Sequence, residues 1–189
     1  MGRKAEFSEL TSSGEKCITT LSRLSLRVGQ PSVTPEWILV DSVTTVEVYV
    51  DRAINALVAQ SNLTDSMFGQ AVLAKLGDDM SSTWPARFDW LGEGFDVKIK
   101  GEKFAQDFDA VIECRNGIIH GSGNLTKRQR SNFVRFTELR RRLLSVLDVT
   151  THGTKLILSD DSARRALAVS RDFAYGFDRA LRYQLSTDF

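Results

Sequence analysis

The sequence predicts an all-α bundle of about six or seven helices with no substantial sheet. Apolar residues recur at three- and four-residue intervals through most of the chain. The segments with that period begin at capping residues and end at glycines. Only Val97-Lys98-Ile99-Lys100 alternates like a scrap of strand. With 189 residues, 42% apolar and 26% charged, the chain reads as one globular domain, 1–189, long enough to bury a sizeable core. That core is expected at about 35–150, with an N-terminal and a C-terminal helix packed on it.

From Glu6 to Val28, Leu10, Cys17, Ile18, Leu21 and Leu24 fall at mainly helical spacing, with Ser12-Ser13-Gly14 as a weak point and Gly29-Gln30-Pro31-Ser32 as a break. Thr34 then caps a second helix, with Pro35 in its first turn and Glu36 at the positive end of its dipole. Val40, Val43, Val46, Val50, Ile54 and Leu57 make its core stripe. Glu47 lies close to that stripe, where a carboxylate is costly without a partner. It is either an acid that orients an active-site cation such as Arg115 or a flank position that reaches water. A third helix restarts at Asn62-Leu63-Thr64-Asp65 and ends at Gly77, and Ser81-Ser82-Thr83 leads into a shorter one through Leu91. Trp84, Phe88, Trp90 and Leu91 there are packing residues in the first instance, able to stack on bases only if exposed.

The motif helix runs from about Glu102 to Ile119, with Phe104, Phe108, Val111, Ile112 and Ile119 as its apolar positions. Gly121-Ser122-Gly123 stops it and leaves His120 in the last turn. Thr126-Lys127-Arg128-Gln129 is a capping box opening a basic helix with Phe133, Phe136, Leu143, Leu144 and Leu147 on its apolar face. The stretch from Thr151 to Ser159 is irregular, and His152 in it reads as a surface residue. Ser159-Asp160-Asp161 caps a final helix with Ala166, Val169, Phe173, Phe177 and Ala180 on one face.

Chemistry concentrates in Glu113-Cys114-Arg115-Asn116-Gly117-Ile118-Ile119-His120-Gly121. At about 100° per residue, Asn116 and His120 share a helix face, and Arg115, one step round, reaches the same patch. Cation, amide and imidazole together can hold a phosphate and move its protons. The plainer reading is a helix that runs out at a glycine with His120 exposed at its end. With 17 Arg among 189 residues and two His, an Arg four to six positions before a His is expected about half the time. Requiring one of the five Asn directly after that Arg lowers the expectation to about one or two in a hundred.

Arg115-Asn116 followed by His120 resembles the Arg-polar-x-x-x-His signature of the HEPN superfamily, all-α domains of prokaryotic toxins, phage-defence and RNA-processing systems. The wording from Ile112 to Gly121 is similar to that of the RiboL-PSP-HEPN and related branches. More loosely, the resemblance extends over about 35–145 through helix order and the Ser82-Thr83-Trp84 lead-in. It implies two protomers whose Arg-Asn-His sets face each other across a cleft, and a glutamate in the middle of the second helix, as Glu47 is. The expected function is metal-independent endoribonuclease action by a homodimer, with Arg115, Asn116 and His120 catalytic. The rivals are a HEPN-like module that only grips RNA or a partner protein, and an antitoxin-paired toxin whose site does different chemistry on RNA or nucleotides, such as adding or removing a group.

The net charge is +1, but its placement is uneven. From Arg115 to Arg142 eight Lys or Arg face one acid, Glu138, for +7, whereas the other 17 basic and 23 acidic residues sum to −6. A basic stripe starting at the motif suits a polyanion, with Lys127, Arg128 and Arg130 as candidate RNA-binding residues; otherwise it is a solvated helix face. No His, Cys and carboxylate cluster stands at ligand spacing, so neither metal nor cofactor is expected. Cys17 and Cys114 are read as free thiols, Cys114 as a small core residue. No stretch approaches the ~20 apolar residues of a membrane span, and Met1 to Glu6 lacks the apolar run of a signal peptide, so a cytoplasmic protein is expected.

Overall fold

Capping chemistry and apolar spacing set out an all-α architecture in the computed structural model, which describes residues 10–182 and 184, Asp78 by its backbone alone. Among those residues the helices are α1 (Ser12–Ser25), α2 (Pro35–Gln60), α3 (Met67–Met80), α4 (Trp84–Asp89), α5 (Lys103–His120), α6 (Lys127–Arg130), α7 (Phe133–Leu147) and α8 (Asp160–Leu181). The only sheet among them is an antiparallel hairpin, β1 (Thr150–His152) and β2 (Lys155–Ile157), in register Thr150 to Ile157. No helix among them is long and apolar enough to cross a membrane.

Several expected boundaries move, each for a local reason. The expected start at Glu6 lies outside the described residues; α1 begins at Ser12, where the Thr11 hydroxyl accepts from Gly14 N at 3.1 Å, so the supposed weak point is a helix start. α2 starts as expected, with Trp37 N donating to Thr34 Oγ1 at 3.2 Å. Its buried face takes in Ile38, Leu39, Ser42 and Tyr49 beside the anticipated Val43 and Val46, while Val40 is half-buried. The third helix restarts at Ser66, which accepts from Gly69 N, after a 3₁₀ turn over Leu63–Asp65. It passes through Gly77 to Met80, since a glycine with helical φ lowers helix stability without ending it. Thr83 caps α4, and a π-helical turn, Trp90–Gly94, carries the chain on. Val97 and Ile99 are buried, but Lys98 and Lys100 stay exposed in an extended segment that pairs with no strand among the described residues.

The basic helix is two helices. Thr126 and Gln129 form the expected capping box, but the helix ends at Arg130, and Asn132 caps a new one by accepting from Arg135 N. An asparagine in extended conformation, φ −129°, breaks the period and caps α7. Phe133 and Leu144, expected in the core, are instead exposed. The irregular stretch after Val149 is the β1–β2 hairpin, turned at Gly153 with φ +62°.

Contacts divide the chain into two compact units, and α1, α2 and α8 each contribute residues to both. In the unit made of 18–45 and 103–173, Phe108 stacks on Phe173 at 4.4 Å and Phe104 meets Phe173 edge-on at 5.9 Å. In the other unit, Tyr49 meets Phe177 edge-on at 5.3 Å. There the fully buried Asp178 accepts from the Tyr49 hydroxyl at 2.6 Å, the Thr11 hydroxyl at 2.5 Å and Thr11 N at 3.2 Å. Gly14 has to lack a Cβ, which would run into the Asp178 carboxylate. Asp178 therefore ties α8 to the start of α1. Asp178→Ala strands three donors in the interior and should cost about 3 kcal/mol, lowering the thermal midpoint followed by circular dichroism by roughly 6–12 °C.

Candidate functional site

The candidate site is built where α5 stops. Gly121 N donates to Gly117 O at 3.1 Å, and Gly123, with φ +81°, donates to Ile118 O at 3.2 Å. The Asn124 carbonyl lies so close over Gly121 that a Cβ there would overlap it. Beyond the stop, Leu156 N donates to Gly123 O at 2.9 Å and Leu125 N to Thr154 O at 2.8 Å, so β2 pairs with the chain leaving α5. Leu125 and Leu156 are both buried, which anchors this pairing in the core of the unit.

The last turns carry the three motif side chains, and they come together. Arg115 Nη1 donates to Asn116 Oδ1 at 3.3 Å and lies 3.3 Å from His120 Nε2. A guanidinium only donates, so this second contact is a hydrogen bond when Nε2 keeps its lone pair and the ring proton sits on Nδ1. Arg115 and Asn116 are half-buried and His120 is exposed. Arg115 Nε is buried with no hydrogen-bond partner among the described residues, an arrangement that costs about 1–3 kcal/mol. The set therefore presents a cation, an amide and an imidazole at one surface point.

Gln129 fixes the neighbouring basic segment to the motif helix. Its Oε1 accepts from Thr126 N at 2.8 Å, while its Nε2 donates to Glu113 O at 2.8 Å and to Glu113 Oε2 at 2.6 Å. One side chain thus closes the capping box and ties α6 to α5 two residues before Arg115. Lys127, Arg128 and Arg130 on α6 are exposed, as are Arg135 and Arg141 on α7, and none of the five is in an ion pair among the described residues. Two other cations of the stripe are occupied: Arg142 Nη1 donates to Asp109 Oδ2 at 2.7 Å, and Arg140 Nε donates to Thr151 Oγ1 at 2.6 Å.

Glu47 belongs to the other unit, where its Oε1 lies 3.9 Å from Arg87 Nη1. Arg87, only 7% exposed, makes a two-pronged pair with Asp51, at 2.7 Å through Nε and 3.1 Å through Nη2. Its guanidinium also lies 5.3 Å from the centre of the Trp84 ring. Trp84 and Leu91 are buried and Trp84 packs on Phe88, as the packing reading of these aromatics expected. His152 is exposed, again as expected. Arg87, Gln129 and Glu113 carried no spacing signal of their own; only the Thr126-to-Gln129 capping box hinted at one of them.

Compared with known proteins, the chain matches no family model, no curated protein and no solved structure. The thiols stand apart from the site's chemistry. Neither is in a disulfide among the described residues, and both are buried, as expected. Burial first, and the nearby Glu36 charge second, push Cys114 up to about 12. Burial and then Asp178 do the same for Cys17. A thiolate is the reactive form, so at pH 8 Ellman's reagent should titrate neither thiol in the folded protein and both after guanidinium is added.

Proposed function

We propose that the protein is a metal-independent endoribonuclease of HEPN type whose active site is composed from two copies of the chain. The observation that supports this most directly is the convergence of Arg115, Asn116 and His120, with Nη1 of Arg115 at 3.3 Å from both partners, on an exposed helix end that opens the +7 segment. Cleavage by transesterification needs a base for the 2′-hydroxyl and an acid for the leaving oxygen. One imidazole takes the proton of the 2′-oxygen, which attacks the adjacent phosphorus. The bond from phosphorus to the 5′-oxygen breaks, and that oxygen takes a proton from a second imidazole. The products end in a 2′,3′-cyclic phosphate and a 5′-hydroxyl. Each motif has one His, so His120 of two copies fills the two roles.

Arg115 holds the scissile phosphate and offsets the charge that builds on it in the pentacoordinate state. Asn116, whose carboxamide nitrogen has donors to spare, hydrogen-bonds the phosphate or steadies the imidazole. Lys127, Arg128 and Arg130 hold the flanking backbone. With RNA as substrate the working compartment is the cytoplasm, where an antitoxin or another defence-system protein would restrain the enzyme.

His120→Ala and Arg115→Ala should each lower cleavage of a labelled RNA in EDTA by about 10²–10⁴-fold, with the far-ultraviolet circular dichroism unchanged. A well-folded His120→Ala protein that cuts at the parent rate sinks the assignment. Binding without cleavage by the parent protein would instead assign the motif to gripping RNA. Product ends other than a cyclic phosphate would point to different chemistry on the nucleic acid.

A further inference from the structure

Phe133 is the most exposed aromatic ring among the described residues, at 81%, and Val134 beside it is 62% exposed. Helical spacing expects Phe133 in the core, but the break at Ser131-Asn132 turns α7 so that its buried face runs through Leu143 and Leu147. Phe133, Thr137, Arg141 and Leu144 then fall along the outer face of α7. Cations flank the ring on both sides in the chain, Arg128 and Arg130 on α6 and Arg135 and Arg141 on α7, all exposed and outside any ion pair among the described residues. An apolar ring held in water, with exposed guanidinium groups before and after it in the chain, contributes little to packing.

We infer that the corner between α6 and α7 is a binding platform for single-stranded RNA, on which Phe133 stacks an unpaired base while Arg128, Arg130 and Arg135 hold the phosphates on either side. A π-face with exposed cations before and after it in the chain matches the two parts of an unpaired nucleotide, a flat base and an anionic linkage. A base already stacked in a duplex cannot offer its face to the ring. The local charge argues against a second copy of the chain on this face, because it would bring two sets of uncompensated arginines together. A lipid surface fits this face less well for a different reason, since arginines at 140 and 141 interrupt the apolar face about two turns from Phe133 and leave no continuous stripe to insert. Phe133 lies only 13 positions after His120, and Gln129 ties α6 to α5 between them, so a strand held on the platform leads toward the motif. The inference deepens the nuclease reading and rests on it for what the bound strand is for.

The test measures anisotropy of a fluorescent 12-nucleotide oligouridylate, and of the same length as a duplex, bound by full-length His120→Ala protein. Phe133→Ala and Phe133→Leu should each weaken single-strand binding about fivefold or more, with Phe133→Tyr close to the parent. Arg128→Ala should reduce the slope of log affinity against log salt by about 1. Duplex binding should be weaker and indifferent to Phe133. Equal binding of oligouridylate by the parent and Phe133→Leu overturns the platform. So does a Phe133→Ala change that dissolves a dimer in sedimentation, or that abolishes binding to phosphatidylserine vesicles, while leaving RNA affinity intact. Phe133-dependent binding by a wild-type protein that never cuts RNA keeps the platform and removes the nuclease; cutting with Phe133-independent binding does the reverse.

Discussion

The approach of the Asn124 carbonyl over Gly121 is the constraint on which the rest of the site depends. A residue with a Cβ at 121 would push the returning chain away, and with it the strand-like stretch that β2 pairs with. Because the chain turns back so tightly, α5 stops within its last motif residue, and His120 is held in the final turn instead of continuing round the helix. The five-residue offset from Arg115 to His120 would place the side chains about 140° apart on an endless helix. A long guanidinium on a half-buried stem, reaching along the surface to the last turn, closes that angle. Helix end, hairpin and motif are therefore one structural unit, and the hairpin's job is to hold the end of α5 still.

Much of this was legible because it is written in local chemistry. Thr34, Thr83, Thr126 and Ser159 each cap a helix through a side-chain oxygen, as residue type and position alone implied. The stop at Gly121 was legible for the same reason. The features that failed to show were those decided by competition between nearly equal local signals. Ser131-Asn132 sits in a polar run with no apolar residue between Leu125 and Phe133, so no period marks whether one helix or two cross it; the Asn132 cap decides it. The hairpin strands are three residues each, too short to display a period. Gly77 looked like a stop but has no left-handed φ, and the helix passes through it.

The long-range polar ties were illegible for a different reason. Asp178 meets Thr11 across 167 positions and Tyr49 across 129, and Arg87 meets Asp51 across 36. No periodicity links such partners, and each residue looks ordinary in its own segment. Their burial is what makes them matter, because a carboxylate or guanidinium withdrawn from water must find its partners inside. Glu47 shows how far the sequence could go: its nearness to an apolar stripe left open an acid that orients a cation such as Arg115 or a flank carboxylate that reaches water. Which cation lies beside it is decided by the packing of α4, a helix of only six residues.

The contact between Arg115 and His120 bears on how the proposed chemistry would begin. An imidazole whose Nε2 lone pair accepts from a guanidinium cannot at the same time take a proton from a 2′-hydroxyl. A phosphate diester competes for that guanidinium as an anion, pairing charge with charge, where a neutral ring offers only a lone pair. In the proposed mechanism, binding the scissile phosphate would draw Arg115 off the ring and leave Nε2 free to act. The same bond would strengthen as negative charge grows on the phosphorus oxygens, so Arg115 would contribute more in the transition state than in the bound ground state. Within this reading, one cation keeps the base idle until a phosphate arrives and then stabilises the reaction it has released.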